Sequence, residues 1–396
     1  MKQAVILAAG EGYRLKPFTL NRPKAMLNVA GKPVISYVLE ALADNGIRDI
    51  IIVVGYRKEQ IFDYVGDGRA FGVEVRYRIQ SNLIGGANAL AQVKGMTDRE
   101  FLVLSGNQLI TAATIAPLIA QTATALLIKR EKDPSRYGVV SVKDGTVLDI
   151  EEKPPYPKSN LINAGVYVFN DNVFTYTETE LSLPDVVNKM LENGETVKAV
   201  ETDQVWLDVV YPWDILRLNS IILQGIQACH NGVIESGVQI KGRVSIGKDT
   251  IIRSNTYIVG PVLIGKGCDI GPNACIFPST CIGDNVVVSS FSQIKNSVIG
   301  DDVHFAAGIS IEDTVVDNGC IIGSHFNACS EETEARIDLD HCGEEHHKVK
   351  TGAMLGAGCR IGNMVTATAG SIVGNYSQVS SLKMVSGSIP DRSLVI

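Results

Sequence analysis

The sequence predicts two joined architectures: an α/β domain on a Rossmann-like sheet, followed by a parallel β-helix. Three observations predict this. Strand and helix patterns alternate through the first half of the chain. From Ile234 onward an aliphatic residue recurs every six positions. All eight cysteines and all six histidines lie after residue 228, so the two halves are built differently, and the first can use neither residue in catalysis. The length of 396 residues suits two or three domains at roughly 100–200 residues each.

The first half reads in order as follows. Residues 3–8 form a buried-strand pattern, and 33–44 a helix with Val34, Val38 and Leu42 beside Ile35 and Leu39, stopped by Gly46. A β-branched run covers 49–54, a short helix 58–65, a strand 73–77, a helix 86–94 and a buried strand 101–104. Such alternation implies a mostly parallel sheet with right-handed crossovers. Ligands of these sheets sit beyond the carboxyl ends of the strands. That directs attention to loops 10–19, 80–86 and 105–110. Residues 212–227 carry Ile215, Leu218, Ile222 and Ile226 at helical spacing, with Pro212 in the first turn. They read as a connecting helix closing a first domain, 1–228, before a second, 229–396.

In the second half eleven aliphatic positions from Ile234 to Ile294 keep one unbroken six-residue phase. A fixed hexad is the signature of a parallel β-helix, in which three hexads make one triangular coil. The phase slips by one near Ile299, turns irregular after Ile322, and resumes at Leu355, Ile361, Ala367, Val373 and Val379. Between these, the polar and charged residues 327–350 read as a loop excursion.

Composition narrows the function. The chain is 20% charged and 45% hydrophobic, with a formal net charge of −7. That excludes general disorder and a dominant nucleic-acid-binding role. The apolar run 4–9 is shorter than a signal-peptide core, and no stretch approaches the roughly 18–20 apolar residues that span a bilayer. The expectation is a cytoplasmic protein with reduced thiols and no membrane partner.

The strongest motif is Leu7-Ala8-Ala9-Gly10-Glu11-Gly12-Tyr13-Arg14-Leu15, followed by Pro23-Lys24 and Gly31-Lys32-Pro33. A strand running into two glycines lets backbone N–H groups approach phosphates, and Arg14 and Lys24 would supply the positive charge a triphosphate needs. On these residues the first half resembles the sugar-1-phosphate nucleotidylyltransferases. The whole chain resembles archaeal-type bifunctional enzymes that join such a domain to a left-handed β-helix with sugar-phosphate acetyltransferase activity.

The resemblance implies a mixed-sheet nucleotidyltransferase domain followed by a left-handed parallel β-helix of hexapeptide repeats. It implies transfer of a nucleotidyl group from UTP or dTTP to N-acetylglucosamine 1-phosphate or glucose 1-phosphate, with release of pyrophosphate. Acetyl-CoA-dependent N-acetylation of an amino-sugar 1-phosphate would be a second activity, Mg²⁺ the metal, and a trimer through the β-helix the assembly. Nucleotide-binding positions would be Ala8, Gly10, Gly12, Gln80, Gly85 and Asn107. A Gln80 amide can both donate to and accept from a uracil or thymine edge. Gly138, Glu152, Lys153 and Asn163 would hold the sugar phosphate. Asp208 and Asn107 would hold the metal, and Arg14, Lys24 and Asp208 would serve catalysis.

Three positions depart from the family pattern: Tyr13 where Thr or Ser is usual, Gly86 where a Thr is usual, and Asn107 in place of an Asp. A phenol in the phosphate loop could obstruct the triphosphate, and an amide ligates Mg²⁺ without charge. All three fall on loops of one pocket. Weakened metal binding follows, and with it an alternative reading: a weakly active or inactive homologue acting as a nucleotide-sugar-binding or regulatory subunit. In the β-helix the family's general-base histidine aligns with Ala307, and His304, three residues away, is the candidate. Lys348 and Lys350 could hold CoA phosphates or be solvated. Cys329, His341, Cys342, His346 and His347 lie together with glutamates in the excursion. Their spacing matches no standard zinc pattern, so a solvated loop is the default expectation.

Overall fold

The computed structural model describes the backbone of residues 1–338 and 344–396, and side chains outside 338–344. It comprises two compact units. The first is Met1–Glu11, Asn21–Met26 and Pro33–Asp208; the second is Gly12–Leu20, Leu27–Lys32 and Val209–Ile396.

The first unit is built on a nine-stranded sheet. Its strands are β1 (Gln3–Ala8), β2 (Asp49–Val54), β3 (Glu74–Ile79), β4 (Glu100–Ser105), β6 (Ala125–Arg130), β7 (Gly138–Lys143), β8 (Thr146–Glu152), β9 (Leu161–Asn170) and β10 (Lys198–Thr202). A separate pair joins β5 (Gln108–Ile110) to β11 (Trp206–Asp208). The order across the large sheet is β3-β2-β1-β4-β9-β6-β10-β8-β7. β1 to β4 run parallel, as the βαβ pattern predicts. β9 then inserts antiparallel between β4 and β6, which makes the sheet mixed. β1, β2 and β4 are apolar almost throughout because both faces are covered. On one face Ile35, Val38, Leu39 and Leu42 of α1 (Val34–Asp44) pack against Ile6, Ile50, Ile52 and Leu104. On the other, Val186, Val187 and Met190 of α5 (Leu183–Glu192) pack against Val5, Ile51, Val53 and Val103. Three further helices, α2 (Lys58–Val65), α3 (Gly86–Ala91) and α4 (Ala112–Ile119), complete the layers.

The second unit holds three parallel sheets of nine, nine and eight short strands, the sides of a triangular coil. The hexad positions Ile246, Ile252, Ile258, Ile264, Ile270, Ile276 and Ile282 point inward and are fully buried. Each stacks on its equivalent one coil away, as Ile252 on Ile270 and Ile270 on Val288. The slip near Ile299 is a shortened corner. Ile282 pairs with Ile299 and Ile299 with Val316, so that coil steps of 18 residues become 17. The shortened corners contain Asn296 and Asp313, both in the left-handed backbone region and joined by an Asn296-to-Asp313 hydrogen bond. The phase therefore continues regularly through Ile322 to Ala328, where the sequence reading had it broken.

The excursion is not a loop. Glu331–Asp338 and Glu344–Thr351 form an antiparallel hairpin inserted between coils, and Val315 stacks directly on Met354 across the insertion. The hairpin has a strand's alternation, with Ala335 and Ile337 buried between exposed Glu334 and Arg336; charge masked that period in the sequence. The connecting helix is α6 (Asp214–Leu223), shorter at both ends than the spacing of 212–227 suggested. It is anchored in this unit by Asn219 donating to the Ser279 carbonyl at 2.7 Å.

Candidate active site

In the first unit the residues singled out by sequence gather in four groups. The first is the end of β1. Lys24 lies in a short 3₁₀ turn, and its side chain runs so close to Gly10 that a Cβ there would stand 3.9 Å from the lysine Cε. Ala8 and Ala25 line the same corner against Gly106.

The second group follows β3. Gln80 is buried, and both hydrogens of its amide are committed, to the Gly85 carbonyl and to Asn88 Oδ1, each at 3.0 Å. The donor half of Gln80 is thus spent internally. Asn88, which fixes it, was missed by the sequence reading. Gly85 has φ +126°, and a Cβ there would strike the Leu181 carbonyl; only glycine fits. Gly86 is different: a Cβ would sit at an ordinary 3.6 Å from Leu183. Nothing in the backbone forbids the hydroxyl-bearing residue that Gly86 replaces.

The third group lies beyond β4. The β5–β11 pairing sets Asp208 opposite Gln108, which brings Asp208 against Asn107 across a separation of 101 residues. Asn107 donates from Nδ2 to Asp208 Oδ1, and its Oδ1 accepts from Ser105 Oγ at 2.5 Å. Both oxygen-bearing groups are hard donors suited to Mg²⁺. Asp208 fits as a ligand. Asn107 thus turns its nitrogen to Asp208 and its oxygen to Ser105, which places its amide directly beside the carboxylate. Gln108, also missed, is buried; its Nε2 donates to the Ala164 carbonyl at 2.8 Å, and its Oε1 has no hydrogen-bond partner among the described residues.

The sugar-phosphate candidates converge from three strands. A Cβ on Gly138 would meet Glu152 Oε2 at 2.9 Å and Asn163 Cβ at 3.6 Å. Asn163 is braced inside β9: Nδ2 donates to Tyr167 Oη and Oδ1 accepts from the Gly165 amide, both at 2.7 Å. Burial pushes the Tyr167 phenol well above its usual range, so it remains a neutral partner. Lys153 takes a left-handed backbone, φ 46°, directly after Glu152.

In the second unit Gly12 takes φ 75°, and its carbonyl accepts from Thr19 Oγ1 at 2.8 Å. Tyr13 lies 4.7 Å beneath the Arg14 guanidinium. Arg14 itself is paired side-on with Glu345 of the hairpin at 2.7–3.1 Å. Tyr211 Oη donates to the same carboxylate at 2.8 Å, and His347 Nε2 stands 3.4 Å from it. The Arg14 and Tyr211 bonds hold the Glu345 carboxyl down to about 2. Lys350 is paired with Glu312 and Asp313, and Lys348 with Glu332. His304 is exposed on a coil strand, its backbone bonded to Cys320. No group of three or more His, Cys, Asp or Glu is placed to hold a metal among the described residues; His341 and Cys342 lie outside them. No helix among the described residues is long and apolar enough to cross a membrane.

Comparison with known proteins identifies the family. A nucleotidyl transferase family model matches residues 3–225, and a bacterial transferase hexapeptide model matches residues 243–278. The second match makes the coil a left-handed β-helix of the hexapeptide type. The bifunctional protein GlmU of Methanocaldococcus jannaschii is 32% identical over 99% of this chain and 97% of its own length. The bifunctional sugar-1-phosphate nucleotidylyltransferase/acetyltransferase of Sulfurisphaera tokodaii is 32% identical over 95% of each chain. A Bacillus anthracis protein assigned as a glucose-1-phosphate thymidylyltransferase, crystallised with sucrose, superposes with a TM-score of 0.52 at 28% identity. The superposition covers 58% of this chain and 97% of that one. The chain is thus a nucleotidyltransferase and belongs to the nucleotidyl transferase family, in the branch where a hexapeptide-repeat domain follows the transferase domain.

Proposed function

We propose that the chain transfers a nucleotidyl group from UTP or dTTP to a sugar 1-phosphate. The observation that carries this is the Asn107–Asp208 pairing beside the ends of β1 and β4, supported by the full-length similarity to bifunctional sugar-1-phosphate nucleotidylyltransferases. A sugar-phosphate oxygen attacks the α-phosphorus; the new P–O bond forms as the α–β anhydride breaks, and pyrophosphate leaves. The attacking oxygen is already anionic, so no general base is needed, which suits a unit without His or Cys. Lys24 and the Arg14 segment supply cationic charge to the phosphates. Gln80 Oε1 accepts from the imide N–H of uracil or thymine. Glu152 and Asn163 meet sugar hydroxyls, and Lys153 meets the sugar phosphate. Asp208, with Asn107 beside it, would hold Mg²⁺, which would supply positive charge to the phosphate oxygens.

Residues 1–228 form the transferase domain in this reading, and 229–396 the acyltransferase-like domain. His304 is its candidate base, with acetyl-CoA as donor and an amino-sugar 1-phosphate as acceptor. Exposed Phe291, Leu382 and Met384 on the coils support a homotrimer through the β-helix.

Pyrophosphate release decides the transferase reading, with UTP and dTTP as separate arms and N-acetylglucosamine 1-phosphate and glucose 1-phosphate as acceptors. Turnover in one arm is the expected result. The specific observation that favours a second reading, a nucleotide-sugar-binding homologue, is that the residue beside Asp208 is the amide Asn107, which donates to Asp208 Oδ1 and brings no second negative charge for a cation. Nucleotide binding without turnover in any arm, and turnover gained in Asn107→Asp, would establish that reading instead.

A further inference from the structure

We propose that Asn88 is a positioning residue that sets base specificity: by taking the second amide hydrogen of Gln80, it makes that side chain an acceptor only and so selects a base with a ring N–H. The inference rests on the reading of Gln80 as the residue that meets the base. Gln80 is 4% exposed, and its Nε2 donates to the Gly85 carbonyl and to Asn88 Oδ1, each at 3.0 Å. A backbone carbonyl only accepts, so Gly85 settles which end of the amide is nitrogen. Asn88 takes the remaining hydrogen. The only hydrogen-bonding capacity the side chain then keeps is that of Oε1. Uracil and thymine carry N–H at N3 and can donate to such an oxygen. Cytosine has the same ring size but a lone pair at N3, which would face the lone pairs of Oε1. Discrimination of this kind comes from a repulsive contact as much as from an attractive one.

Backbone geometry within the first unit holds both partners in place. Gln80 N donates to the Val54 carbonyl at 2.8 Å, directly beyond β3. The Gly85 carbonyl also accepts from Ala89 N at 3.2 Å, and Ala87 N donates to the Leu181 carbonyl at 3.2 Å, which pins the start of α3. Asn88 lies in that first turn, so one helix start delivers both acceptors to Gln80. An amide that cannot turn over is what the discrimination requires. A glutamine free to rotate would accept from uracil and donate to cytosine alike.

The test compares UTP with CTP, and dTTP with dCTP, in the full chain. The wild type should favour the imide-bearing base of each pair. Asn88→Leu removes the acceptor at similar size, and the preference in kcat/KM should fall about 3- to 10-fold, the worth of one net hydrogen bond, while KM for the sugar 1-phosphate stays unchanged. Asn88→Asp keeps an oxygen acceptor and should hold the wild-type preference. A helix that was only disturbed at its first turn would move the sugar 1-phosphate KM as well, and Asn88→Asp would not rescue it. Gln80→Leu separates the proposal from the reading beneath it. If the preference survives Gln80→Leu, the reading of Gln80 falls and the proposal with it. If the preference is lost in Gln80→Leu but kept in Asn88→Leu, Gln80 stands and the proposal alone is overturned. Where the wild type releases no pyrophosphate, calorimetric Kd values for the same nucleotides carry the same comparison. Equal affinity of the wild type for both bases, or binding of neither, also overturns it.

Discussion

In the α/β unit, each side chain to which we assign a chemical task is held by a contact that occurs once. Gln80 is held by Asn88, Asn107 by Ser105 and Asp208, and Asn163 by Tyr167. In the coil unit the same few contacts repeat. Ile252, Ile270 and Val288 stack in one column, and each coil rests on nearly identical neighbours. The difference separates two kinds of sensitivity. A change to one of these polar pairs should remove function and leave stability nearly intact, because a polar pair at a pocket contributes little net free energy. A change in the coil core should cost stability and leave transfer chemistry intact, because an unfilled rung loses buried area and packing.

The sharpest test of this contrast is a pair of substitutions. Asp208→Asn removes the carboxylate beside Asn107 and should lower kcat/KM for pyrophosphate release by about 10²- to 10³-fold, with an unchanged unfolding midpoint. Ile270→Ala, at a fully buried rung, should cost about 2–4 kcal/mol in denaturant unfolding and leave both Michaelis constants where they were. Loss of stability in the first, or of transfer in the second, would break the distinction.

A finer test lies in two adjacent glycines. Gly85→Ala should destabilise by about 1–3 kcal/mol, since φ +126° and the Leu181 carbonyl both exclude a Cβ. It should also raise the triphosphate KM, because the Gly85 carbonyl holds Gln80. Gly86→Ala should be neutral or slightly stabilising by a few tenths of a kcal/mol, as Ala favours a helical first turn and meets only Leu183 at 3.6 Å. Equal effects at the two positions would show that the turn before α3 is looser than its backbone implies.

How much could be read without coordinates follows the same division. The coil was legible because one position repeats; even the slip near Ile299 was visible, though only the paired corners Asn296 and Asp313 show it as a shortened side. β1, β2 and α2 were legible because each is local: an apolar run, or a face at helical spacing. The antiparallel insertion of β9 was not, because strand order is set by long-range packing that no local period encodes. The hairpin was hidden because Glu332, Glu334, Glu344 and Glu345 swamp the alternation of Ala335 and Ile337. The candidate site residues came from the family resemblance that the phosphate-loop motif carried, whereas their partners Asn88 and Gln108 belong to no motif and became visible only through hydrogen bonds.

The hairpin is where the two kinds of sensitivity meet, and pH separates them there. Glu345 is held near 2 by Arg14 and Tyr211, whereas an unfolded glutamate titrates near 4.3. A carboxyl whose native pKa is depressed stabilises the fold fully above its unfolded value, and that stability disappears as the pH falls toward the native value. The pair should therefore contribute its share above about pH 5 and lose it between roughly pH 4.5 and pH 2. Each side chain is 24% exposed, so solvent screening limits the share to about 1–2 kcal/mol. Wild type and Glu345→Gln should differ in denaturant midpoint at neutral pH and converge as the pH approaches 2. Trp213 reports the change directly: its ring stacks on Tyr211 at 5.2 Å, and Tyr211 donates to Glu345. Its emission should titrate in the wild type across that acid window and stay flat in the variant. A variant that retains the wild-type acid transition would assign it to other carboxylates and leave Arg14 unanchored by charge.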